Sequence, residues 1–142
     1  IFYAKKGGAL CALKEYREAI KCYDQAIEID PNNPIFYSVK GSALHQLREY
    51  SEEINCLDKA LQLNPNSLTV YLNKGTALYE LKEYNRAIEC FKKAIEIDIN
   101  NFDAHYNKGR ALCKLTEYDQ ARECFDKAIK LNPSNAITKG KV

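Results

Sequence analysis

The 142-residue sequence has no methionine, only two histidines and no long apolar run. Without a methionine the chain cannot begin with its own initiator, so we expect a processed chain or a fragment of a longer protein. A membrane-spanning helix needs about 20 consecutive apolar residues, and no stretch approaches that length. The start also lacks the charged-then-apolar pattern of a secretory signal. We therefore expect no membrane partner.

Strong charge of one sign is also missing, since 21 basic residues face 19 acidic ones. The two signs are interspersed along the sequence, which is typical of solvated helix faces. No basic patch suited to phosphate stands out, so nucleic acid is not an expected partner.

The sequence offers little for catalysis or for metal binding. His45 and His105 are the only histidines, and they do not make a four-ligand zinc site. Apart from the adjacent pair Gly7-Gly8, the glycines of the repeats stand singly inside predicted helices, so no glycine-rich phosphate loop is expected. We therefore predict no enzyme, no catalytic residue, no metal and no cofactor.

One stretch, Tyr84–Asn101, organises the chain because related stretches recur every 34 residues. Its apolar residues follow the three-four spacing of a single helix face, so the stretch is predicted to be an amphipathic helix. Such a helix cannot bury its apolar stripe alone and needs a partner helix. The recurring positions are the tyrosines 16, 50, 84 and 118, the cysteines 22, 56, 90 and 124, and the alanines 26, 60, 94 and 128.

The period predicts one array of four helix pairs, with repeats at 1–33, 34–67, 68–101 and 102–135. In the first repeat we expect helices from Ile1 to about Lys14 and from Glu15 to about Asp30. Proline at position 31 should end the second helix, because the residue before a proline avoids the α region. The segment 136–142 is predicted to be the start of a further helix or a frayed terminus.

A glycine recurs in the first helix of every repeat, at positions 7, 41, 75 and 109. Glycine inside a helix costs about 1 kcal/mol relative to alanine. Its regular return predicts a close helix crossing that tolerates no side chain.

Three positions depart from the repeat pattern. Glu53 replaces an alanine found in the other repeats, so it should either reach water or splay its helix pair. Ile99 replaces a proline, which predicts a less abrupt helix end with up to one extra turn. Arg122 replaces an isoleucine, which is consistent with a solvated face at the end of the array.

The recurring cysteines are expected to be unpaired. Equivalent residues of stacked helices lie about 8–10 Å apart, whereas a disulfide needs Cα atoms roughly 4.4–6.8 Å apart. We therefore interpret these cysteines as small buried apolar residues in a reducing cytoplasm.

With these recurring positions, the sequence resembles the tetratricopeptide repeat family over residues 1–135, without an insertion. The resemblance implies an all-α fold, an α-solenoid in which antiparallel helix pairs form a right-handed superhelix. It also implies a concave groove lined by the first helix of each pair. Longer Sel1-like repeats and the 35-residue, RNA-binding pentatricopeptide repeats fit less well. The matching columns are Tyr3, Tyr37, Tyr71 and His105; the four glycines; Ala9, Ala43, Ala77 and Ala111; Tyr23, Leu57, Phe91 and Phe125; and Pro31, Pro65 and Pro133.

By this resemblance, the chain is expected to bind a peptide or partner helix as a scaffold or adaptor. Asn73 and Asn107 recur one repeat apart, and an amide can both donate to and accept from a peptide backbone. Tyr79 and Tyr106 offer rigid contact area, and Arg110 can hold a carboxylate through two hydrogen bonds. The expected groove residues are Lys5, Ser38, Ser42, His45, Thr69, Asn73, Thr76, Tyr79, Tyr106, Asn107, Arg110 and Lys114.

Some relatives clamp the terminal carboxylate of chaperone tails with two lysines, two asparagines and an arginine. In the better register here, only Asn73 matches, so we expect no such clamp. The sequence does not identify the protein or peptide partner. The alternative function is a structural spacer that continues into flanking repeats or self-associates end to end, and an RNA-binding helical repeat is a weaker alternative. The matching clamp positions are Ser38, Ser42, Asn73, Asp103 and Asn107.

Overall fold

A computed structural model of the chain describes residues 1–135, which are helical apart from short turns. The all-α class and the tandem helix pairs are confirmed. The predicted tail, residues 136–142, lies outside the described residues. The α-helices are α1 (Phe2–Ala12), α2 (Tyr16–Ile29), α3 (Pro34–Gln46), α4 (Tyr50–Leu63), α5 (Leu68–Glu80), α6 (Tyr84–Ile97), α7 (Phe102–Lys114) and α8 (Tyr118–Leu131), and residues 133–135 are also helical.

The helices divide into two compact units. The first unit is Ile1–Val70, in which α1 packs on α2, α2 on α3, and α3 on α4. The second unit begins at Tyr71, and in it α6 packs on α7 and α7 on α8. Within residues 1–135, no helix is long and apolar enough to cross a membrane.

The turn inside each pair is tighter than the sequence indicates. Lys14 has a left-handed backbone, with φ of 62°, and its N–H donates to the Cys11 carbonyl at 2.9 Å. The Glu15 N–H donates to the Leu10 carbonyl at 2.8 Å. These two bonds satisfy the last carbonyls of α1 in a Schellman motif. They end α1 at Ala12, so the predicted extension to Lys14 is wrong by two residues.

The connection between pairs follows the predicted capping chemistry. The Asn33 side chain accepts a hydrogen bond from the Ile35 N–H at 3.0 Å, and Pro34 is the first residue of α3. The Tyr37 hydroxyl donates to the Pro31 carbonyl at 2.9 Å, which ties α3 to the turn before it.

His105 performs the same task in the fourth repeat, since its Nε2 lies 2.7 Å from the Ile99 carbonyl oxygen. A carbonyl can only accept, so Nε2 is the protonated nitrogen of this ring. This shared bond explains how histidine can replace tyrosine in that column.

The extra turn predicted near Ile99 is wrong, because α6 ends at Ile97, the position equivalent to Ile29 at the end of α2. Asp98 has an extended backbone, with φ of −141° and ψ of 98°. Its side chain accepts a hydrogen bond from the Asn100 N–H at 3.0 Å. This local turn ends the helix without a proline.

The close crossing at the glycine column is confirmed. A Cβ added at Gly75 would lie 2.5 Å from Cε1 of Phe91, and one added at Gly109 would lie 2.7 Å from Cε1 of Phe125. At Gly41 the nearest atom would be Cδ2 of Leu57, at 3.2 Å. The second helix of each pair thus places a large side chain directly over the glycine of the first.

The expectation that Glu53 reaches water is wrong, and α3 packs on α4 as α1 packs on α2 and α7 on α8. Glu53 is 1% exposed, and its Oε2 lies 2.9 Å from Nδ1 of His45 on the preceding helix. Burial raises the pKa of the Glu53 carboxyl, and the hydrogen bond and charge of His45 partly offset that rise. A carboxylate can be buried in this position because it is paired with His45.

Two further expectations are confirmed. All six cysteines are free, and the four recurring ones are buried, where burial raises the pKa of the Cys56 and Cys124 thiols. The Arg122 side chain is 73% exposed, with Nη2 at 3.7 Å from Oδ1 of Asp119.

Candidate functional site

The predicted groove residues of the first unit do not form one continuous polar surface. Lys5 is exposed on α1. The Ser42 hydroxyl donates to the Ser38 carbonyl of its own helix at 3.2 Å. His45 is engaged with Glu53, and its side chain is 33% exposed. The structure therefore assigns His45 a role in packing α3 on α4 as well as a place on the predicted face.

Two predicted residues of the first unit do meet at a small cavity. Ser38 and Thr69 both line a cavity of about 170 Å³ between the start of α3, the end of α4 and the start of α5. Ile35 and Val70 contribute apolar surface to it, and Asn64 contributes an amide. A space of this size suits a small side chain more than a whole ligand.

The second unit brings four predicted residues into direct contact. Cζ of Arg110 lies 4.5 Å from the ring centroid of Tyr79 and 5.9 Å from that of Tyr106. Both distances are within the range of cation–π attraction. The Asn107 side-chain oxygen accepts a hydrogen bond from Nη1 of Arg110 at 3.4 Å. Residues of α5 and α7 thus fix one guanidinium between two aromatic rings.

The two tyrosines are themselves held by further rings. Tyr79 meets the Tyr84 ring edge to face, with centroids 5.3 Å apart. Tyr106 stacks on Phe102 at 5.7 Å and leans on Phe125 at 5.8 Å. Phe102 is not among the predicted groove residues, although its spacing of four residues from Tyr106 on one helix face indicates this contact.

Several arginines of the chain are paired with a nearby carboxylate, and Arg110 differs from them. Arg86 pairs with Glu83, and Arg122 pairs with Asp119. Among residues 1–135, no carboxylate lies within ion-pairing distance of Arg110. Its side chain is half-buried, so its positive charge is held at this surface without a counter-charge from the described residues.

The neighbouring polar side chains leave hydrogen-bonding capacity at the same face. The Asn73 amide makes no hydrogen bond to any residue that the structure describes. The Thr76 hydroxyl donates to the Leu72 carbonyl of its own helix at 2.9 Å. Lys114 is exposed at the end of α7. We call this set the α5–α7 surface: Asn73, Thr76, Tyr79, Tyr106, Asn107, Arg110 and Lys114.

A partly exposed ion pair lies elsewhere in the first unit, and the sequence analysis did not predict it. Nζ of Lys40 lies 2.6 Å from Oδ1 of Asp24. Burial acts to lower the pKa of Lys40, but the hydrogen bond to Asp24 and the negative charges around it outweigh burial and raise that pKa. The pair links α2 to α3 and has a structural role.

The chemistry available to the α5–α7 surface is hydrogen bonding, aromatic contact and the attraction of one negative charge. In the described part of the chain, no group of three or more histidine, cysteine, aspartate or glutamate side chains could hold a metal ion.

Comparison with known families gives two matches. The family model described as "TPR repeat" matches residues 7–47. The model described as "Anaphase-promoting complex, cyclosome, subunit 3" matches residues 46–128, more than half of the chain. No curated protein sequence matches.

Solved structures of similar fold include a crystal structure of MamA, with 26% sequence identity and a TM-score of 0.87 over 89% of this chain and 74% of that chain. The first TPR domain of Spaghetti (RPAP3), bound to the HSP90 peptide SRMEEVD, is 25% identical, with a TM-score of 0.78 over 81% of this chain and 91% of that one. The TPR domain of Arabidopsis OM64 has 24% identity and a TM-score of 0.74 over 78% and 91%. With its tandem helix pairs, its glycine crossings and these matches, the chain belongs to the tetratricopeptide repeat family.

Proposed function

We propose that this chain binds an extended peptide segment of a partner protein along the α5–α7 surface, as a non-enzymatic scaffold or adaptor in the cytoplasm. Tetratricopeptide repeats generally mediate protein–protein interaction, and one of the similar structures holds a peptide. The observation that carries the proposal is the contact of Arg110 with Tyr79 and Tyr106. On the preceding first helix, α5, the Asn73 amide has no hydrogen-bond partner among the described residues.

The two asparagines supply the contacts to the peptide backbone. An amide side chain both donates and accepts, so it can pair with the N–H and C=O of one extended residue. Asn73 on α5 and Asn107 on α7 occupy equivalent positions one repeat apart. Packed helices lie about 8–10 Å apart, which is close to the length of three residues of extended chain. Two such clamps would fix the direction and register of a peptide.

The partner differs in kind from a chaperone tail that needs a full carboxylate clamp. The similar RPAP3 domain binds the HSP90 peptide SRMEEVD. In the positions where this chain would need the lysines of a clamp, it has Ser38 and Asp103. An aspartate there repels a carboxylate, so we propose a partner other than such a tail.

A selection from a phage-displayed random peptide library tests the proposal. The parent chain should enrich a common sequence pattern, and the Asn73→Ala, Asn107→Ala double variant should retain those peptides at least about tenfold less well, as expected for two lost hydrogen bonds. A matched control is Lys92→Ala, Gln120→Ala, because these residues line a cleft between α6 and α8. Equal loss in the control, or no enrichment by the parent, contradicts the proposal.

A second candidate function is end-to-end self-association, which the exposed face of α1 favours. Phe2 is 72% exposed and Leu13 is 68% exposed. Ala9 is also exposed, whereas the equivalent Ala43 and Ala111 are buried by neighbouring helices. Sedimentation of the parent beside Phe2→Ser, Leu13→Ser tests this function, which predicts an assembly that only the parent forms. A parent that sediments as a monomer at all concentrations contradicts it.

A further inference from the structure

We infer that Arg110, held between Tyr79 and Tyr106, is a binding site for one carboxylate of the bound peptide. The inference rests on the proposed function and adds the chemical class that the second unit selects. Arg110 is not one of the positions that match the chaperone-tail clamp, so this site is separate from that mode of recognition.

The first support is that the guanidinium is already fixed. The ring centroid of Tyr79, on α5, lies 4.5 Å from Cζ of Arg110. The side-chain oxygen of Asn107, one turn earlier on α7, accepts a hydrogen bond from Nη1 of Arg110. Tyr84 contacts the Tyr79 ring, and Phe102 stacks on the Tyr106 ring. An arginine that is already ordered loses little side-chain freedom when a ligand binds, and this increases affinity.

The second support is the charge that stays unsatisfied. A guanidinium carries five N–H donors, and the one hydrogen bond of Arg110 within residues 1–135 is the long one to Asn107. The side chain is half-buried, where a charge interacts more strongly with an opposite charge than it does in bulk water. A planar carboxylate matches the remaining pair of donors in a two-bond arrangement.

The number of positive charges decides between a carboxylate and a phosphate. A phosphorylated side chain carries about two negative charges and three acceptor oxygens. The side chains that contact Arg110 are the uncharged Tyr79, Tyr106 and Asn107. Lys114, the other cation of the α5–α7 surface, is not among them, so one guanidinium carries the charge of this contact group. One charge and one fork of donors correspond to a single carboxylate.

Nuclear magnetic resonance can test the site with small probes. We would titrate N-acetylglutamate N-methylamide into the chain and follow the side-chain Nε–H resonances of its arginines. The Arg110 signal should move and saturate, while the exposed, Asp119-paired Arg122 serves as an internal control. N-acetylglutamine N-methylamide, which has the same shape without the charge, should leave Arg110 unchanged. N-acetylalanine, whose carboxylate is terminal, shows whether an end group serves as well as a side chain.

A second arm uses the peptides selected by the parent chain. We expect them to share an aspartate, a glutamate or a free terminal carboxylate, and Arg110→Lys, which keeps the charge but loses the fork, should weaken their binding by roughly tenfold. Equal movement of Arg110 and Arg122, or no movement of either, overturns the carboxylate site. Neutral peptides that bind Arg110→Lys as well as the parent also overturn it while leaving the proposed function intact. Failure of the parent to select any peptide contradicts the proposed function itself.

Discussion

Replacing Glu53 by alanine and Leu57 by phenylalanine should produce a strongly coupled change in the stability of the first unit. In the other three repeats an alanine stands in the position of Glu53, and tyrosine or phenylalanine stands in that of Leu57. The second repeat has the reverse: a long side chain where the others have a small one, and a smaller side chain where the others have a ring. Near Gly41 an added Cβ would meet both Leu57 at 3.2 Å and Cγ of Glu53 at 3.7 Å. The stem of Glu53 thus fills space beside Leu57.

The expected magnitudes follow from that exchange of volume. Leu57→Phe alone adds a ring to a filled space, which costs about 1–3 kcal/mol. Glu53→Ala alone removes one buried methylene, a loss of about 0.8 kcal/mol, together with the carboxylate and its hydrogen bond to His45. In the double variant the ring occupies the vacated space, and the buried carboxylate is gone. We expect a coupling energy of about 1–3 kcal/mol in favour of the double variant.

The pH dependence of stability provides a separate signature of Glu53. Its pKa is raised in the folded chain by burial, so the folded state holds this proton more tightly than the unfolded state. The contribution of Glu53 to stability is therefore greatest at low pH and falls as pH rises through the raised pKa. The double variant lacks this group, so its stability relative to the parent should rise as pH increases through the raised pKa of Glu53.

Urea unfolding followed by circular dichroism measures these effects on the parent, both single variants and the double variant. The midpoint of the double variant should exceed the value obtained by adding the two single changes. Strictly additive midpoints would refute the volume exchange. A stability relative to the parent that falls as pH rises would refute the burial of the carboxylate.

Three other changes test the fold with the same urea assay. Thr116→Gly should stabilise the chain by about 1 kcal/mol, because a β-branched residue with φ of 60° is strained, and a lower midpoint would contradict this reading of the turn. Gly75→Ala should lower the midpoint because its Cβ would lie 2.5 Å from the Phe91 ring, whereas Gly8→Ala, with nothing within 4 Å, should raise it by up to about 1 kcal/mol. Two changes of the same sign would show that crowding does not decide the glycine positions. Phe91→Ala should cost about 3–5 kcal/mol, since the ring is 1% exposed, and a loss below about 1 kcal/mol would argue against this core.

The sequence was sufficient to predict the helix pairs because every repeat restates the same apolar face. It was also sufficient for the caps at Asn33 and Pro34, since capping depends on neighbouring residues. The turn at Lys14 escaped prediction because lysine, unlike glycine, gives no sign of a left-handed backbone. The ion-pairing partner of Glu53 escaped prediction because His45 lies on another helix, and the distance between two side chains depends on tertiary packing.

The candidate site was predictable in the same partial way. Periodicity identified Tyr79, Tyr106, Asn107 and Arg110 as one face of the first helices. It did not predict that two rings would hold the guanidinium, because that contact depends on how closely α5 approaches α7. The absence of a nearby carboxylate likewise emerged only from the three-dimensional arrangement of the described residues.

The central claim is that a peptide binds along the α5–α7 surface, and side-chain amide resonances test it most directly. A peptide selected by the parent chain would be added to isotope-labelled protein, and the amide signals of Asn73, Asn107 and Asn85 compared. Asn85 lines the cleft between α6 and α8 and serves as the control. We expect large, saturable shifts of the Asn73 and Asn107 side-chain amide signals and little shift of the Asn85 signal. Changes concentrated at Asn85, with Asn73 and Asn107 unmoved, would contradict it.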